Sequence, residues 1–311
     1  MQLIGHPSRQ LSERARSTPG AIDLTVGEPF YGPPARVLDR LAARLTGGPA
    51  GYAPSLGDPA LRRSIARYVA RIADVAVDPA RELLITVGAA EALWLTVLTT
   101  TEPGDEVLLP DPAYALYELV IRALDRQPVR VPTDPAAGFA LPVAALEHRR
   151  TPRARLLIIN APGNPTGAVY DAAAIQALAD WTRAVGLTLL HDEVLDFASF
   201  APRHASALAV RGGRDHIVSI NSFSKRLGLA GWRVGWLVAP PAIVERAAQA
   251  HTLVALAAPA PLQDALADAL DHPLDPEHLA QLARGSRDAR AAWQRAASPA
   301  PRRRRPGSTC S

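Results

Sequence analysis

The chain has 311 residues, enough for two average domains or for one large α/β domain with an appendage. Hydrophobic residues make up 48% and charged residues 21%, so a sizeable core can form and wholesale disorder is excluded. The net charge is +4, and four consecutive arginines at 302–305 account for all of it, which argues against a nucleic-acid partner.

No apolar stretch reaches the roughly 18 uninterrupted residues of a membrane helix, so no membrane partner is expected. Residues 1–17 lack the apolar region of a secretory signal. The single cysteine, Cys310, leaves no internal disulfide and no cysteine-based zinc site, and it points to a reducing, cytoplasmic setting.

In chain order, residues 1–48 read as scattered turns with one helix at 34–45. Helical spacing returns at 61–72, where Leu61, Ile65, Tyr68, Val69 and Ile72 share one side. Strand 83–87, helix 89–100, strand 106–109 and helix 114–124 follow. Strand 129–131, helix 142–148, strand 156–160 and helix 171–185 come next. Strands 188–191, 217–221 and 233–238 and helix 241–256 complete the series. Continuous apolar strands separated by helices predict an α/β fold: three αβα layers around a mostly parallel sheet.

Of 34 basic residues, Lys225 alone is lysine. Arginine replaces it everywhere else, which asks what arginine cannot do. It cannot lose its proton in a protein, so it can serve neither as an amine nucleophile nor as a Schiff-base partner.

Ligands of open α/β sheets bind beyond the carboxyl ends of the strands, and the polar motifs fall there. Thr86-Val-Gly-Ala-Ala closes one strand and opens a helix, offering N–H groups to an anion. Asn160-Ala-Pro-Gly-Asn-Pro-Thr-Gly, His191-Asp-Glu-Val and Asn221-Ser-Phe-Ser-Lys-Arg follow three later strands. Singly, each is compatible with a turn, a cap or an ordinary loop. Together, a lysine amine, a strand-end carboxylate, an amide and a phosphate cradle meet the needs of pyridoxal 5′-phosphate.

Over about residues 20–262 these motifs resemble the class I/II aminotransferases, fold-type I enzymes that use pyridoxal phosphate. The resemblance implies Lys225 as Schiff-base lysine and general acid–base, with Asp192 as the carboxylate holding a proton on the pyridine nitrogen. It implies a phosphate site from Gly88, Ala89, Ala90, Ser222 and Arg233, the last eight residues after the lysine. Tyr114 would stack on the ring, and Asn164 would bond the phenolic oxygen and help bind substrate. Gly27, in Gly27-Glu-Pro, would lie over the substrate carboxylate. Tyr52, with Gly57-Asp-Pro-Ala-Leu-Arg, would reach the phosphate of a neighbouring subunit, which implies a homodimer. Val26, Phe30 and Tyr31 are candidates for lining the side-chain pocket or for a core role.

By the same resemblance, 1–48 form an N-terminal arm and small-domain segment, and 49–262 the large cofactor-binding domain. Residues 263–297 form partial small-domain helices, so the small domain is incomplete, and 298–311 a disordered basic tail. The expected reaction moves an amino group between an amino acid and a 2-oxo acid. Two departures qualify it. Leu195 stands where the family often has tyrosine, which removes one donor to the phenolic oxygen and should raise the imine pKa. The family's late arginine, a bidentate clamp for the substrate carboxylate, has no counterpart here. The ending therefore reads as truncated, with cofactor binding expected to outlast turnover. A pyridoxal-phosphate lyase or cyclase, and an inactive cofactor-binding product, stay open as alternatives.

Overall fold

The computed structural model describes residues 7–49, 51–199 and 204–297; the expected disordered tail lies outside them. The chain divides into two compact units, residues 1–273 and 274–311. Three helices precede the sheet: α1 (Pro7–Arg16), α2 (Ala35–Thr46) and α3 (Pro59–Ala73). The sequence reading placed a single helix in 1–48, and α1 corrects it. Leu11 and Ala15 are the only apolar residues among its ten after the initial proline, and Leu11 is exposed, so no periodicity announces it.

Asp58 starts α3 by accepting from the N–H groups of Ala60 and Leu61 at 2.7 and 3.1 Å, with Pro59 at the first turn. Strand β1 (Leu83–Thr86) follows, then α4 (Gly88–Thr100), β2 (Glu106–Asp111), α5 (Ala115–Ala123) and β3 (Gln127–Pro132). Next come α6 (Val143–Arg149), β4 (Ala154–Asn160), α7 (Ala172–Ala184) and β5 (Thr188–Asp192). Strand β6 (Ile217–Ser222) runs into the short α8 (Phe223–Arg226), before β7 (Gly235–Val238), α9 (Pro241–Val254) and α10 (Ala260–Ala265). In the second unit, α11 (Pro276–Ala297) is the described helix.

The seven strands form one sheet in the order β1-β7-β6-β5-β4-β2-β3. Only β7 runs antiparallel to its neighbours, so the sheet is mostly parallel, as the apolar runs predict. Leu84, Val107, Leu156, Ile158, Leu190, Val218 and Leu237 build the core with Leu93, Val97, Ile121 and Val244 from α4, α5 and α9. Leu157, Ile159, Leu189 and Ile217 alternate to the opposite face and are equally buried. Burial on both faces is why these strands read as continuous apolar runs.

The final strand starts two residues later than expected. Arg233 adopts the left-handed conformation (φ 55°), which ends any extended run before Gly235. Gly235 then sits between two strand ends, registered with Thr86 on one side and Ser222 on the other. A Cβ there would lie 2.6 Å from the Gly88 carbonyl carbon, 2.7 Å from Ala89 N and 2.9 Å from Asn221 O. All three are backbone atoms with no rotamer to adjust. Gly235→Ala should therefore lower stability by about 2 kcal/mol. Gly231→Ala, which meets nothing within 4 Å, should stay within about 0.5 kcal/mol of wild type in the same denaturant titration.

Candidate functional site

Because β7 runs against β1 and β6, its first residues share an edge with the last residues of the parallel strands. At this edge α4 begins with Gly88, Ala89 and Ala90, whose N–H groups have no carbonyl one turn earlier to bond. They offer partial positive charge to an anion. Gly88 has φ +76°, a conformation that favours glycine, and the Arg233 guanidinium lies against the face where a Cβ would stand. The Arg233 guanidinium is held beside this turn by Ala230 O at 3.0 Å and Val87 O at 3.5 Å. Ser222, fully buried at the end of β6, accepts from Ser224 N–H at 3.3 Å. A hydroxyl that accepts keeps its own proton to donate.

Lys225 lies on α8, one turn beyond Ser222. Its Nζ donates to Gly27 O, so the N-terminal segment crosses over the amine. Tyr31, a pocket-lining candidate, is buried and donates to Lys225 O at 2.8 Å; burial pushes its phenol up to about 12. Phe30 is 59% exposed and packs edge-on against Tyr31, and Val26 is half-buried.

Asp192 ends β5. Tyr117 O–H reaches its Oδ2 at 2.7 Å, and Val194 N–H reaches Oδ1 at 3.1 Å. Burial raises the Asp192 carboxyl from 3.8 to about 6, against the lowering effect of those two bonds. Glu193, the next residue, goes the other way. Burial would raise it too, but His204 Nε2 at 2.7 Å holds it below the ordinary range, and Ser206 donates to it at 2.9 Å. His191 Nδ1 accepts from Ala207 N–H at 3.2 Å, so its Nε2 donates to Ala161 O; burial keeps this ring neutral, at about 4. Adjacent carboxylates with opposite shifts have separate roles: Glu193 anchors the 204–207 segment, whereas Asp192 is ready for a cation.

Asn164 is exposed beyond β4, and its N–H bonds Asn160 Oδ1 at 2.6 Å. The same Asn160 side chain donates to Asp192 O at 3.0 Å, tying the amide loop to the carboxylate strand. Tyr114 caps the start of α5 and packs edge-on against Tyr117, with ring centroids 5.6 Å apart. Leu195 is half-buried and brings no donor. Tyr52 does not join the cluster; it is 89% exposed.

The sequence reading missed Tyr117 and Asn160 as positioning residues. Tyr117 follows Tyr114 by three positions, on the same side of α5, which was its available signal. Asn160 lay inside a quoted motif, but only the register of β4 with β5 shows that it faces Asp192.

Residues 19–292 match the family described as aminotransferase class I and II. The chain is 38% identical over 254 residues to the probable N-succinyldiaminopimelate aminotransferase DapC of Mycobacterium tuberculosis, covering 81% of this chain. It is 35% identical over 251 residues to the arginine–pyruvate transaminase AruH of Pseudomonas aeruginosa, again covering 81% of this chain. The matched regions span 64% of the length of each of these relatives. The solved structure of Pyrococcus protein-A1 superposes with a TM-score of 0.87 at 29% identity, covering 94% of this chain and 76% of that one. No described helix is long and apolar enough to cross a membrane.

The raised Asp192 pKa makes a signed prediction. Below about pH 4 the carboxyl is protonated in both folded and unfolded chains and costs nothing. As pH rises through about 6 the unfolded chain gains by ionising first, so folded stability falls. In the ligand-free chain, wild type should lose about 2 kcal/mol relative to Asp192→Asn between pH 4 and pH 7. Chemical denaturation at the two pH values measures it; a pH-independent difference would show that Asp192 ionises normally.

Proposed function

Because the chain belongs to the class I and II aminotransferases, we propose that it moves an amino group between an amino acid and a 2-oxo acid, using pyridoxal 5′-phosphate at the strand-end edge. One observation carries this reading: the chain's single lysine lies on the same edge as an anion cradle and a buried carboxylate with a raised pKa. The residues fit the group. Gly88, Ala89 and Ala90 N–H, Ser222 and Arg233 would hold the phosphate. Asp192 would keep a proton on the ring nitrogen, which relieves the cost of burying its charge. Tyr114 would lie against the ring, and the Asn164 amide would meet the phenolic oxygen, unassisted by Leu195.

When bound, the group supplies an electron sink for charge that develops on the substrate α-carbon. The chain's own residues do the rest. The Lys225 amine would anchor the group, and its free Nζ would act as the base that takes the substrate α-proton and then, as the ammonium, as the acid that gives it back. Gly27, over the amine, and Asn164 would border the substrate. Tyr52 at 89% exposure, with Leu253 at 88% and Val254 at 75%, supports a homodimer in which such exposed apolar side chains are covered and Tyr52 reaches a partner's phosphate. We propose a cytoplasmic enzyme, organised as an arm (1–48), a large domain (49–262) and small-domain helices (263–297). A second reading, a lyase or cyclase on the same fold, draws on Leu195.

Borohydride reduction of the cofactor-loaded protein should place the adduct on Lys225, and Lys225→Ala should abolish it. An adduct mapped to another position removes the assignment. Asp192→Asn should keep most cofactor binding while half-transamination slows by orders of magnitude; an unchanged rate leaves Asp192 merely structural. Appearance of the pyridoxamine form on adding amino acid marks a transaminase, whereas release of pyruvate or ammonia marks the second reading.

A further inference from the structure

The turn that opens α4 is held by a pair of residues not used above. Glu91, in the first turn of α4, folds back so that its Oε2 accepts from the N–H of the N-cap residue Val87 at 2.5 Å. Its other oxygen, Oε1, lies 2.9 Å from Nδ1 of His251 in the last turn of α9. His251 is fully buried, and among the described residues its Nε2 has no hydrogen-bond partner. An orphaned ring nitrogen costs folding free energy that a leucine of similar size would not. The pair carries that cost one peptide unit from the N–H groups of Gly88, Ala89 and Ala90.

Its position is electrostatically awkward. A carboxylate satisfies the Val87 N–H, but it also puts negative charge beside a cradle built for an anion. The proton that His251 Nδ1 shares with Oε1 draws this charge away from the helix N-terminus. We propose that Glu91 and His251 form a positioning pair for phosphate binding: Glu91 fixes the turn, and His251 offsets the repulsion Glu91 would exert on a bound phosphate. This rests on the phosphate-site reading above and extends it to two residues on different helices.

The test compares the affinities of the full ligand-free chain for pyridoxal 5′-phosphate and for pyridoxal, whose ratio isolates the phosphate. His251→Leu should cut the ratio about tenfold. The double variant Glu91→Gln with His251→Leu should restore it to within about twofold, since glutamine keeps the acceptor for Val87 N–H and loses the charge. Glu91→Gln alone should leave the ratio equal or higher, and this arm stands even if His251→Leu does not fold. Equal weakening of both ligands by His251→Leu, no recovery in the double variant, or a lower ratio in Glu91→Gln each overturns the proposal. A wild-type ratio near one overturns the phosphate site along with it. A high wild-type ratio that His251→Leu leaves unmoved overturns this inference alone.

Discussion

Three strand ends meet at one point of the edge because Gly235 has no side chain. Thr86 and Ser222 flank it in register, and the first peptide of α4 rests where its Cβ would stand. That approach brings an amide cradle, a serine hydroxyl and the Arg233 guanidinium within reach of one anion. A methyl group would push α4 away from β7 and spread these donors apart. The contact is between backbones, so neighbouring side chains have little scope to absorb a change.

Burial at the end of β5 imposes a second constraint. A carboxylate with two neutral donors is poorly compensated away from water, and its pKa rises to about 6. The chain gives up stability there while Glu193, one residue on, gains an imidazole partner in His204 at 2.7 Å. Such an imbalance characterises sites that await a charged ligand.

The strands were legible because most are short runs buried on both faces, the half-exposed edge strand β3 excepted, and their predicted ends lie within a few residues of the observed ones. Helix α1 was not, since its turns show almost no apolar periodicity, nor was α8, whose four residues are too few to display any. The strand-end motifs announced Lys225, Asp192, Asn164 and the Gly88 turn through local residue types. The partners that fix them were hidden by distance in sequence. Tyr117 meets Asp192 across 75 positions, and Glu91 meets His251 across 160. Only the packing of α5 and α9 against the sheet makes these neighbours.

The antiparallel return of β7 has a mechanical consequence. Lys225 and Arg233 occupy one short span whose ends are stitched together by Phe223 N–H to Val234 O at 3.2 Å. Within it, Leu229 N–H bonds Ser224 O at 3.1 Å and Trp232 N–H bonds Leu229 O at 3.0 Å. The amine and the guanidinium are therefore two teeth on one cog, and any rocking of this span carries both together. Gly27, by contrast, touches the amine from a separate stretch of chain. Tyr31, four residues on, fastens that stretch to the backbone at one of the teeth, through Lys225 O at 2.8 Å.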